Sequence, residues 1–217
     1  MRKFSVLIVL IFASFALHAQ QPPFYNAIQS FKSQDSIKFP PKKAILFIGS
    51  SSFTKWKDVQ EYFPQHPIIN RGFGGSTLPD LIRYVDDIVF AYSPKQVVVY
   101  CGENDLASSD SISSETVAER FITLFGLIRA KYPKISIVFI SMKPSPSREK
   151  IRFKIDAGNY AIEEFLKKQK NTAFIDVYHL MLDKNGQPRK ELFIEDMLHM
   201  NKMGYDIWQK AMAPYLK

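Results

Sequence analysis

Five short apolar runs, separated by stretches whose apolar spacing changes to that of a helix, constrain this chain more than any other feature. The runs are Ala44–Ile48, Pro67–Asn70, Gln96–Cys101, Ile135–Ile140 and Ala173–Val177. They are rich in Val, Ile and Phe, and four of the five are almost unbroken. A strand with one wet face alternates apolar and polar residues, whereas an unbroken run suits a strand buried on both faces. Between the runs, Leu78, Leu81, Ile82, Val85, Ile88 and Val89 form one helical stripe, with Pro79 tolerated in the first turn. Val117, Phe121, Leu124 and Ile128 form a second; Ile151, Ile155, Ile162, Phe165 and Leu166 form a third. Gly158 falls on the third stripe, where a missing side chain lets a helix approach the sheet closely. A last helix starts near Asn201, with Ile207, Trp208, Ala211 and Met212 facing inward. Strands alternating with helices predict an α/β domain, its parallel sheet covered on both faces.

The chain has 217 residues, enough for one such domain. Its start has a different character. Arg2 and Lys3 precede the apolar run from Phe4 to Leu17, and Ala19 offers a small residue for cleavage. That layout predicts a signal peptide over 1–19 and an exported product, periplasmic or extracellular, with no stable membrane span after cleavage. Residues 20–42 read as a polar lead-in with room for one short helix, and 43–217 as the folded domain. The single cysteine, Cys101, permits no internal disulfide, so the fold rests on its core. The net charge is +8, spread along the chain without the focused basic face and stacking aromatics that nucleic-acid binding needs.

The first run ends in Gly49-Ser50-Ser51-Ser52. Glycine permits a tight turn, and a serine there sits at the carboxyl end of a strand, where open α/β sheets place ligands. It serves equally as a nucleophile or as a helix cap. A nucleophilic serine needs a base and a site for the developing oxyanion. His18 lies in the leader, His66 precedes a proline in a turn, and His179 follows a strand edge. His199 has a carboxylate, Asp196, three residues before it. Residues so spaced on a turn share a face, so Asp196 can orient the imidazole, although an ordinary surface pair fits the same spacing. Two further segments follow strands and could supply donors. Asn70-Arg71-Gly72-Phe73-Gly74-Gly75-Ser76-Thr77 exposes backbone N–H groups, and Cys101-Gly102-Glu103-Asn104-Asp105 offers a side-chain amide. Tight turns capped by Thr77 or by an Asx residue fit those sequences as well. In a parallel sheet all these strand ends share one edge. No second histidine or cysteine stands at ligand spacing, so no metal or cofactor is expected.

Taken together, these blocks resemble the SGNH hydrolases, or GDSL-type esterases and lipases, in the branch that includes the platelet-activating-factor acetylhydrolase catalytic subunits. Gly49-Ser50-Ser51 is similar to the family's Gly-Asp-Ser block, with Trp56 at the expected distance and Ser50 where an aspartate is usual. The glycine block aligns Gly75 with an oxyanion donor and has Ser76 in place of a frequent aspartate. Gly102-Glu103-Asn104-Asp105 resembles Gly-x-Asn-Asp, and Asp196 with His199 resembles the last block, followed by Asn201 and Gly204-Tyr205. The resemblance covers roughly Lys43 to the C-terminus. It implies a three-layer α/β/α fold with a five-stranded, flavodoxin-like sheet and a Ser51–His199–Asp196 triad. The implied oxyanion hole consists of the Ser51 and Gly75 N–H groups and the Asn104 amide. The expected activity is hydrolysis of short acyl esters, acetylated glycans among them. A lysophospholipase, or a non-catalytic carbohydrate-binding protein on the same fold, remains the alternative. Arg71 and Glu103 are candidate substrate contacts or plain loop charges, and Cys101 a packing residue.

Overall fold

The computed structural model describes residues 21–217, so the expected signal peptide lies outside the described residues. The apolar runs become β1 (Ile45–Gly49), β2 (Ile68–Gly72), β3 (Gln96–Tyr100), β4 (Ser136–Ile140) and β5 (Thr172–Ile175). They form one parallel sheet in the order β2-β1-β3-β4-β5. Ile45 is in register with both Ile68 and Gln96, Gln96 with Ser136, and Ile137 with Thr172. β5 stops short of Val177 for a local reason. The Val177 and Tyr178 N–H groups both donate to Ser141 Oγ at 2.9 Å, replacing the ladder with a side chain.

Both sheet faces are covered, as the unbroken runs require. Leu46, Ile48, Val97, Val99, Ile137 and Phe139 face one core, and Ile45, Phe47, Val98, Tyr100, Val138 and Ile140 the other. The first core is closed by α1 (Tyr25–Ile37), α4 (Leu78–Arg83), α6 (Ser114–Lys131) and α7 (Arg152–Lys167). The second is closed by α2 (Ser51–Lys55), α3 (Val59–Tyr62) and α8 (Lys202–Met212), with Phe53, Trp56 and Trp208 fully buried. The remaining helix, α5 (Glu103–Ser108), follows β3. None of the described helices is long and apolar enough to cross a membrane.

Two helical stripes are interrupted where the sequence suggested continuity. The stripe from Leu78 to Val89 divides into α4 and a π-turn, Asp86–Phe90. The third begins as a tighter 3₁₀ turn, Pro146–Ile151, with Arg148 out of helical geometry at φ −108°, ψ 16°, before α7 begins. The lead-in is more than a linker. It forms the 13-residue helix α1, which buries Ile28 and packs Phe31 against the core, as does Phe24 just before it. Pro23 is tied down as well, its carbonyl accepting from Tyr84 Oη at 2.7 Å.

Candidate active site

β1 ends where no side chain fits. Gly49 has φ +150°, and a Cβ there would lie 2.0 Å from the Tyr100 carbonyl oxygen on the neighbouring strand. The chain turns sharply, Ser50 N–H donates to that same oxygen at 3.1 Å, and α2 opens at Ser51. The three serines then take separate roles. Ser50 precedes α2 but makes no side-chain cap; its Oγ accepts from Asn104 Nδ2 at 2.7 Å. Ser52 is buried, and its carbonyl accepts from Tyr205 Oη at 2.8 Å. Ser51 Oγ lies 2.9 Å from His199 Nε2.

His199 belongs to the loop between β5 and α8. Its Nδ1 is 2.5 Å from Asp196 Oδ2, while Asp196 Oδ1 accepts the N–H groups of Leu198 at 2.9 Å and His199 at 2.8 Å. A carboxylate only accepts, so Nδ1 carries the proton and Nε2 is left to accept from Ser51 Oγ. Burial alone would raise the Asp196 carboxyl. The hydrogen bonds from the His199 ring and from the two N–H groups outweigh it and hold the carboxyl well below the usual range. The histidine side chain is 15% exposed and the aspartate 43%, so the acid faces solvent while the base faces inward. Asn201 anchors the loop to α8, accepting from the Met203 and Gly204 N–H groups and donating to the Glu191 carbonyl at 2.8 Å.

The glycine block lies directly beside Ser51. A Cβ on Gly74 would sit 3.7 Å from Ser51 Cβ, and Gly75 holds φ +86°, a conformation that favours glycine. Among the described residues the Gly75 N–H has no protein acceptor, and the Ser51 N–H, first in its helix, has no intrahelical one. Asn104 stands at the start of α5, its amide donating to Ser50 Oγ and, at 3.1 Å, to the Ser76 carbonyl. The serines that replace the family's usual aspartates therefore brace the two loops. Ser50 receives Asn104, and Ser76 Oγ donates to the Gly49 carbonyl at 3.2 Å. Thr77 does cap α4, its N–H and hydroxyl both donating to Asp80.

Arg71 and Glu103, which the sequence left open as substrate contacts, are packed inside. Arg71 ion-pairs with Asp35 of α1, donates to Tyr92 Oη at 2.6 Å and stacks 5.0 Å from the Phe31 ring centre. Glu103 pairs with Lys143, itself only 1% exposed, at 3.1 Å, and accepts from Tyr100 Oη and Ser145 Oγ. Asp105 accepts from the Leu78 N–H at 3.0 Å and from Arg120 at 2.8 Å; burial still raises its carboxyl, partly offset by these donors. Burial also pushes the Cys101 thiol well up, and its Sγ points at the Ser76 carbonyl, which suits a packing role. His66 stays in the turn before β2.

A feature the sequence reading missed is a second Asp-x-x-His. Asp176 accepts His179 N–H at 3.1 Å and holds His179 Nδ1 at 2.7 Å, reproducing the local geometry of Asp196 and His199. Among the described residues no hydroxyl meets its Nε2. The three-residue spacing was visible in the sequence; only the fold shows which imidazole faces a serine. No group of three or more His, Cys, Asp or Glu among the described residues is placed to hold a metal ion.

A parallel sheet between two helical layers, with a serine, a histidine and an aspartate converging at its carboxyl edge, defines a class: α/β/α hydrolases. The chain belongs to the GDSL-like lipase/acylhydrolase family, whose model matches residues 45–207, and is an ester hydrolase of that family. It is similar in fold to a GDSL-like lipase from Bacteroides thetaiotaomicron, at 23% identity and TM-score 0.74, covering 87% of this chain and 96% of that one. A Streptococcus pneumonia protein whose name refers to platelet activating factor shares 22% identity with TM-score 0.77, covering 88% and 92%. A family 3 carbohydrate esterase from Clostridium thermocellum shares 16% with TM-score 0.62, covering 81% and 97%. No curated protein matches the chain.

Proposed function

We propose that the protein is an exported serine esterase that removes short acyl groups, acetyl above all, from a polar alcohol such as a carbohydrate. The observation that carries this reading is the continuous chain Ser51 Oγ–His199 Nε2 and His199 Nδ1–Asp196 Oδ2, joining residues 148 positions apart. Ser51 attacks the acyl carbon while His199 takes its proton. Asp196 fixes the tautomer and stabilises the imidazolium. The oxyanion is received by the Ser51 and Gly75 N–H groups and the Asn104 amide, which turns from Ser50 towards the substrate oxygen. The imidazolium protonates the departing alcohol. Water, deprotonated by the same histidine, then frees the acid and regenerates Ser51.

Ser51→Ala should abolish turnover of a short aryl ester, and wild type should be labelled at Ser51 by a fluorophosphonate. Retained turnover in Ser51→Ala, or labelling at another serine, would overturn the assignment. The likeness to a carbohydrate esterase supports a sugar as the leaving alcohol, and the Phe4–Leu17 run supports export. Comparing the secreted and cell-retained fractions of the full chain tests the latter.

A further inference from the structure

One cation beside the catalytic loop has no use inside the protein. Arg148 forms no ion pair and no side-chain hydrogen bond among the described residues, and its Nε is buried without a partner. Leaving a guanidinium N–H dry and unpaired is costly, and native structures resolve such groups with a ligand or solvent. Arg148 sits at the non-helical position of the Pro146–Ile151 turn, which aims its side chain differently from a helical residue's. It lines a recess of about 380 Å³. Leu106 and Ala107, from the helix that begins with Glu103 and Asn104, form part of the same wall. The turn is also tied to the loop of Asp196 and His199: Ser147 N–H donates to the Met197 carbonyl at 3.0 Å, and Ser145 Oγ reaches the Leu198 carbonyl at 3.5 Å. The recess is therefore walled by the helix carrying the oxyanion amide and by the turn that is hydrogen-bonded to the loop carrying the base. Lys150 adds a second cation. Of the two carboxylates there, Asp110 and Glu149, the latter is taken up by Arg152 at 3.2 Å.

We infer that Arg148 receives an anionic group, a carboxylate or a phosphate, on the ester this site cleaves. The planar guanidinium fork matches either anion in a two-point contact. The inference rests on the esterase reading and narrows it: the preferred substrate carries a negative charge near its acyl group. A uronic acid residue of a glycan and a phosphate of a lipid headgroup are the two sources of that chemistry.

Matched pairs of acetyl esters separate them. An acetylated methyl glucuronide is compared with the acetylated methyl glucoside, and acetyl glycerol phosphate with acetyl glycerol. Wild type should favour one charged member by about 10- to 100-fold in kcat/KM, chiefly through KM, the scale of a charge-assisted contact. Arg148→Met should erase that preference and leave both neutral esters within about threefold of wild type. Arg148→Lys, which keeps the charge and loses the fork, should fall between and guards against a folding defect. Preference for neither charged ester, or a preference that survives Arg148→Met, would overturn the inference. Calorimetric titration of glucuronate and of inorganic phosphate into Ser51→Ala gives a reading independent of turnover. Saturable binding that Arg148→Met removes supports the anion site even if no ester is cleaved. Turnover without charge preference keeps the esterase reading and rejects the site.

Discussion

At the residue scale, neighbouring side chains of one type do different work because their environments differ. Ser50, Ser51 and Ser52 are indistinguishable as letters, and the sequence could select Ser51 only through its distant company. The packing separates them: Asn104 claims Ser50, burial removes Ser52, and His199 meets Ser51. Asp196 and Asp176 make the same point, since each binds the ring of a histidine three residues on and only one histidine reaches a serine. Asp196→Asn keeps the shape but loses the proton acceptor. It should cut kcat by about 10²- to 10⁴-fold, the usual worth of acid–base assistance, with the far-ultraviolet dichroism unchanged. Asn104→Ala should cost about 10²- to 10³-fold in kcat with little change in KM, as for loss of one oxyanion donor. Because its folded pKa is depressed, Asp196 contributes stability above its unfolded value of about 3.9 and loses it only as pH falls through the lower folded value. It stays ionised over the working range. Protonation of Asp196 should therefore add no step to kcat/KM in the range where an ordinary carboxylate titrates; a step there that Asp196→Asn removes would contradict this.

Elements position these side chains through buried charge. α1 does more than its polar sequence suggested: Asp35 neutralises Arg71, the next-to-last residue of β2, just ahead of the loop that carries Gly75. The sequence could not show this, because Asp35 and Arg71 lie 36 residues apart and neither belongs to an apolar stripe. Asp35→Ala should leave a buried, unpaired guanidinium and destabilise the fold by about 3–5 kcal/mol in denaturant melts. The Glu103–Lys143 pair poses the same question on the next loop. Lys143 follows β4 and is almost fully buried, yet lysine seldom reads as a core residue. Helix continuity was the other illegible feature. The π-turn at Asp86–Phe90 and the 3₁₀ turn at Pro146–Ile151 keep the apolar spacing of a helix while changing its pitch. Periodicity alone does not see that change, and the second of these turns is what carries Arg148.

For the whole molecule, the parallel sheet and its layering were legible because the three inner strands are buried on both faces and each crossover carries a helix, whereas the strand order came with the family resemblance. The edges of the sheet were less so, and β5 ends early where Ser141 takes over its partners. Charge is the remaining whole-molecule property. The chain carries 29 basic against 21 acidic residues, and setting aside Arg2 and Lys3 still leaves +6. Such an excess is not needed for the fold, but it raises the local concentration of anions and speeds their arrival. Its effect reaches about 10 Å at 0.1 M salt and about 3 Å at 1 M, so salt removes the long-range attraction before it weakens a buried contact. For an anionic acetyl ester, kcat/KM should fall steadily as sodium chloride rises from about 0.02 to about 0.5 M, while kcat stays level. For its neutral partner both should stay flat, since a neutral ester feels no such field. A common salt slope for the two would show that salt acts on the enzyme and not on encounter. Charged and neutral curves that remain parallel would leave the basic surface without a part in substrate capture.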